Sequence, residues 1–221
     1  MLMLVYLLAC ADQSGGDFAL AFDGPPDCGT VDLEGSPPDS FTIELWMRGD
    51  TDAGAQFRPF VTWPGVFSLA ERSDGAVLFG VGEDDAAASS PFTVMDGVLH
   101  HLAGTYNGAD GTVRLYIDGA LQGQNSAFVG EPDARIQVGC AKEYTEAFSG
   151  LIDEVRFSSS LRYDADFERP TAPFKADDDT VMLFHMDEGQ GETSESSVGD
   201  FVISLTETTW LDFSLSEGGA E

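Results

Sequence analysis

Positive charge is what this chain has least of: ten Lys and Arg stand against thirty-nine Asp and Glu in 221 residues, a formal charge of -29. Such a surface repels a phosphate backbone or an anionic bilayer. Nucleic acid is therefore excluded as a partner, and a membrane is reached only through an attached lipid. Long apolar runs are also missing, since the opening stretch from Met1 to Cys10 falls short of the ~20 residues that span a bilayer. No long segment carries the helical period. There is no Gly-x-Ser-x-Gly elbow, no phosphate-cradling Gly-rich loop and no Cys/His spacing suited to zinc. With these gone, nothing assigns catalysis to any residue, and the chain is not expected to be an enzyme.

What is abundant points to strands. Twenty-five Gly, ten Pro and sixteen Phe in a chain 43% apolar suit many short strands joined by tight turns. Phe41, Ile43, Leu45 and Met47 fall in one phase, with Glu44 and Trp46 on the reverse, as in a central strand. Ser73-Asp74-Gly75 and Asp118-Gly119 are hairpin signals between alternating stretches. The acidic, small-residue run from Glu83 to Ser90 reads as a loop, and Leu161 to Phe167 has room for one helical turn before Pro170. About a dozen strands with no βα alternation predict an all-β, two-sheet antiparallel sandwich. A leader and tether over 1–16, one domain over 17–216 and a short tail over 217–221 complete the division.

The stretch from Phe148 to Phe157 raises the sharpest question. Read as an unbroken strand, it places Leu151, Val155 and Phe157 on one face with Asp153 among them. Burying a carboxylate among apolar groups costs several kcal/mol, on the order of 2–7 for a polar group and more for a charge, unless a partner compensates it. That partner is a bound metal or neighbouring backbone amides, or else a bulge turns the side chain outward. The adjacent His100 and His101 point to opposite faces of a strand and cannot share a metal; His185 shows no partner.

Five motifs in order carry a resemblance. They are Phe22-Asp23-Gly24 with Asp27; Phe41 to Trp46; His100 to Tyr106 with Arg114 to Gly119; Gly150-Leu-Ile-Asp153-Glu-Val-Arg156; and Leu183 to Gly189. Together they resemble the laminin G-like, concanavalin A-like jelly-roll family over nearly all of Phe18 to Phe213. The resemblance implies a surface module that binds carbohydrate or a glycosylated partner, with a structural or protein-adhesion domain as the alternative. It also implies a structural calcium on Asp23 and Asp153, with Asp27 a weaker candidate, which suits a hard cation taking oxygen ligands. Glycoside hydrolases share the jelly roll, but their strand of paired carboxylates has Leu151 and Val155 in the catalytic positions here.

Leu7-Leu8-Ala9-Cys10 resembles the lipobox of bacterial lipoproteins, although no Lys or Arg precedes it. This implies an exported chain lipidated at Cys10, at the outer membrane or the cell surface. Two cysteines then remain, and Cys28 with Cys140 forms an even pair suited to a disulfide in an exported protein. Trp63 and Tyr144 are candidate exposed aromatics for stacking on a sugar, against the alternative that they pack in the core.

Overall fold

The computed structural model describes residues 17–51, 56–82, 87–141, 146–213 and 215. The leader with Cys10, and Tyr144, lie outside the described residues. Eighteen strands are formed among those described. The first half of the chain gives β1 (Phe18–Asp23), β2 (Cys28–Asp32), β3 (Phe41–Gly49), β4 (Arg58–Trp63), β5 (Phe67–Glu71), β6 (Val77–Val81), β7 (Ala87–Ser90), β8 (Leu99–Asn107) and β9 (Thr112–Ile117). The second half gives β10 (Ala120–Ser126), β11 (Arg135–Val138), β12 (Cys140–Ala141), β13 (Glu146–Ala147), β14 (Ser149–Ser158), β15 (Thr180–Phe184), β16 (Thr193–Glu195), β17 (Val202–Thr206) and β18 (Thr209–Asp212).

Two eight-stranded sheets face each other. The first runs β10-β9-β8-β3-β14-β1-β18, with β15 also paired to β14; the second runs β16-β17-β2-β11-β4-β5-β6-β7. Every pairing is antiparallel. Between the sheets lies one apolar core containing Phe41, Ile43, Leu45 and Met47 from β3, Phe67 and Leu69 from β5, and Phe157 from β14. These are the inward phases of their strands, which is why alternation in the sequence reads directly as burial.

Turn chemistry follows expectation in two places. Asp118 and Gly119 both take positive φ, 50° and 81°, the backbone that matches the right-handed twist of the flanking strands β9 and β10. At Gly75, φ is 85° in the turn from β5 to β6. Two expectations fail. Ala87–Ser90 is strand β7, paired to β6, because small side chains at a sheet edge find a neighbour that local propensity does not reveal. Leu161 to Phe167 forms no helical turn; it belongs to a long extended segment that crosses the outer face of the first sheet.

That crossing segment covers polar as well as apolar groups. Glu44 and His101, neither exposed to solvent, lie beneath it, with Tyr163, Phe167 and Phe174 ringing His101 at centroid distances of 6.4, 5.7 and 5.7 Å. His100, on the opposite face as expected, holds Asp118 through Nδ1 at 2.7 Å.

Candidate functional site

The register of β14 answers the question about Asp153. Asp153 pairs with Trp46 and Arg156 with Glu44, so three steps on β14 match two on β3. The extra residue is Glu154, whose φ of +52° marks the bulge. Consequently Ile152, Val155 and Phe157 all reach the core, while Asp153, Glu154 and Arg156 turn to the outer face. The unbroken-strand phase is thereby corrected: a bulge turns Asp153 to the outer face.

The bulge sits where β14 changes partner along one edge. β15 pairs Val155 to Ser158 and β1 pairs Ser149 to Ile152, leaving Asp153 and Glu154 opposite a gap. A pocket of about 200 Å³ opens there, lined by Asp17, Asp153, Glu154 and Asp187 with the Thr171-Ala172-Pro173 segment. Glu154 is satisfied: His185 Nδ1 lies 2.6 Å from one oxygen, and the Phe174 amide donates to the other at 2.7 Å. His185 therefore has the partner its sequence context did not show, and that contact draws its imidazole pKa upward.

Asp153 is 5% exposed, and among the described residues its hydrogen bond comes from the adjacent Glu154 amide at 2.9 Å. Burial first, then the charges of Glu154 and Asp187, push its carboxyl up to about 9. At neutral pH it holds a proton in the folded protein that the unfolded chain, with an ordinary carboxylate pKa, has released. Stability must then fall as pH rises through this window, with Asp153 contributing about 1.4 kcal/mol per pH unit. In metal-free protein, Asp153→Asn is expected to remove that slope. Urea midpoints measured from acid to mildly alkaline pH test this, and parallel curves for the two proteins would refute it.

The three residues expected to share a calcium are not brought together. Asp23 lies opposite Ser149, four positions along β14 from Asp153, which is ~13 Å of strand. Asp23 is exposed, and its amide donates to Asp27 Oδ2 at 2.7 Å, so Asp27 closes the turn after β1 and is raised chiefly by its own burial. Among the described residues no three His, Cys, Asp or Glu side chains are arranged to hold a metal ion. Asp23 and Asp27 thus stand at the turn after β1, apart from Asp153.

Cys28 and Cys140 do come together, in a disulfide with Cα atoms 5.2 Å apart. Gly139, at φ +72° and against the Phe22 ring, separates β11 from β12 and delivers Cys140 to its partner. Trp63 is corrected: it is 4% exposed, meets Phe157 and Phe67 edge-on at 5.9 and 6.4 Å, and donates its indole N–H to the Asp133 carbonyl at 2.8 Å. The inward phase of β4 puts it in the core, where it is unavailable to a sugar.

Beside Trp63, on the outer face of the second sheet, lies a trough of about 360 Å³. Its floor is Gln137, Thr62 and Ser68, side by side on β11, β4 and β5, and Phe57, Pro64, Ala141 and Glu146 form its walls. Thr62 Oγ1 donates to the Cys140 carbonyl at 3.4 Å. Gln137 is only 9% exposed and lies in the floor of the trough. It faces the trough, where a ligand can satisfy both its donor and its acceptor. Sequence reasoning missed Gln137, because a polar residue between Ile136 and Val138 looks like any outward position on a strand.

Comparisons with known proteins support the fold. A family model described as the concanavalin A-like lectin/glucanases superfamily matches residues 27–166. Among solved structures, a candidate carbohydrate-binding protein from Bacteroides ovatus is similar over 90% of this chain and 60% of its own, at 17% identity and a TM-score of 0.74. This chain thus spans about 60% of that protein's length. The native heptameric SAP-like pentraxin of Limulus polyphemus is similar over 86% of this chain and 96% of its own, at 13% identity and a TM-score of 0.53. The sialidase CBM40 of Ruminococcus gnavus, bound to α2,3 sialyllactose, covers 66% of this chain and 91% of its own, at 13% identity and a TM-score of 0.52. No curated protein matches.

Proposed function

The chain belongs to the concanavalin A-like lectin/glucanase superfamily, and on that premise we propose that it is a non-enzymatic carbohydrate-binding module whose sugar site is the trough over Gln137, Thr62 and Ser68. The Gln137 amide in the floor of the trough, beside Thr62 and Ser68, carries this reading. Neutral hydroxyl and amide groups at the base of a concave site fix the orientation of a sugar, and a flanking ring such as Phe57 offers apolar contact. Solved relatives include a candidate carbohydrate-binding protein and a sialyllactose-bound module, which supports the class of ligand. Among the described lining residues Glu146 is the one carboxylate, whereas most glycoside hydrolases use a pair about 5–9.5 Å apart.

Gln137→Ala is expected to weaken binding of a glycan, identified first on an array, by about tenfold, which is ~1.4 kcal/mol for the hydrogen bonds removed. The melting temperature should hold, since the side chain faces the trough and not the core. Unchanged affinity by calorimetry would move the site elsewhere.

In this reading the module is exported and displayed at a surface through Cys10; the Cys28–Cys140 bridge suits an oxidising compartment. Calcium enters as an occupant of the acidic gap beside Asp153, where a hard cation would replace the proton, and it takes no part in holding the sugar. Metal-free protein should melt higher on adding calcium, a response that Asp153→Asn abolishes. No change in the parent protein rejects calcium here.

A further inference from the structure

The trough is the deepest part of a longer polar line. Register places Thr193, Ser204, Thr30, Gln137, Thr62 and Ser68 directly beside one another on six consecutive strands from β16 to β5. Their chain neighbours Ser194, Ile203, Val31, Ile136, Val61 and Phe67 are all buried, so all six side chains in the line share the outer face. Spaced at ~4.8 Å, six strands extend the line over about 24 Å. Exposure grades along it, from Gln137 and Thr62 at the floor, through Thr30 and Ser68, to Ser204 and Thr193 open to solvent.

Every side chain in the line is uncharged and both donates and accepts hydrogen bonds. Among the described residues, none that lines the trough is Lys or Arg. On β11, Arg135 stands two residues from Gln137, but Asp32 Oδ1 takes its Nε at 2.9 Å. With a formal charge of -29 on the chain, the site offers an anionic sugar repulsion and, among the described lining residues, no counter-charge. We propose that the site takes a linear, uncharged glycan laid across the strands, anchored at Gln137 and extended over Thr30 to Ser204, and that it discriminates against anionic polysaccharides. This rests on the carbohydrate reading above and names its substrate class.

The test is calorimetric titration with β-linked gluco-, xylo- and manno-oligosaccharides, from disaccharide to hexasaccharide, beside oligogalacturonate and sialyllactose. For at least one neutral series, affinity should rise about tenfold or more with length, while the anionic sugars show no binding. Ser204→Arg, at the exposed end of the line, should erase the gain from length. Binding that is independent of length, or insensitive to Ser204→Arg at every length, overturns the extended site while leaving sugar recognition in the trough intact. Preference for the anionic sugars overturns the charge discrimination. If no carbohydrate of either kind binds, the carbohydrate reading itself falls, and this inference with it.

Discussion

Glu44→Ala is expected to lower the stability of the domain by about 3–5 kcal/mol, the cost of stranding a buried charge by removing its partner. Glu44 has no solvent exposure. Arg156 donates to its Oε1 through Nε at 2.9 Å and reaches the same oxygen through Nη2 at 2.7 Å. On Oε2, the Tyr163 hydroxyl donates at 2.8 Å and His101 Nε2 lies at 3.1 Å. Burial alone would raise the Glu44 carboxyl, but the hydrogen bond from His101 and the charges of His101 and Arg156 outweigh it and hold it below the usual range. Arg156 is itself buried, with its guanidinium 4.3 Å from the Phe174 ring centroid, so without Glu44 its charge is left in an apolar layer. The loss should appear as a lower urea midpoint and as faster amide exchange across residues 159–179, which Glu44 pins through Tyr163. A change under 1 kcal/mol would show that water replaces the carboxylate at no large cost.

Opening the Cys28–Cys140 bridge should cost a similar amount through the unfolded chain. The bridge closes a separation of 112 residues, for which the chain-entropy account gives about 4–5 kcal/mol. Both cysteines are fully buried beside Ala147, so a Cys28→Ala/Cys140→Ala double variant leaves no stranded polar group and reports the cross-link itself. The two forms are compared by denaturant unfolding, with the parent protein measured both oxidised and reduced. Agreement between reduced parent and double variant, both well below the oxidised protein, is the expected result. Oxidised and reduced proteins of equal stability would contradict it. Cys140 also adjoins Ala141 in the wall of the trough, so reduction should weaken glycan binding as well.

Strand by strand, alternation carried most of the fold: Phe41 to Met47, Thr112 to Ile117 and Val77 to Val81 lie where their periods put them. Asp118-Gly119 marked its turn because the conformation it needs is costly for most other residues. The site was less legible. Asp153 drew attention as a carboxylate in apolar company, yet its face depended on a single inserted residue at Glu154. Trp63 looked available for stacking on a sugar, but the phase of β4 sends it inward. Gln137 gave no local signal, since its place in a trough depends on the strands that become its neighbours.

Short-range physics is what the sequence by itself determined: the all-β class, most strand phases, the hairpin turns and the strongly acidic surface follow from side-chain period, glycine conformations and charge. Tertiary structure alone decided the rest. Two strands succeed one another along the same edge of β14 and open the gap at Asp153; β3, β8 and the 159–179 segment enclose Glu44; and six strands from distant parts of the chain align their polar positions into one line. Each of these depends on which strands become neighbours, a choice made by the packing of the whole core rather than by any stretch of residues within it.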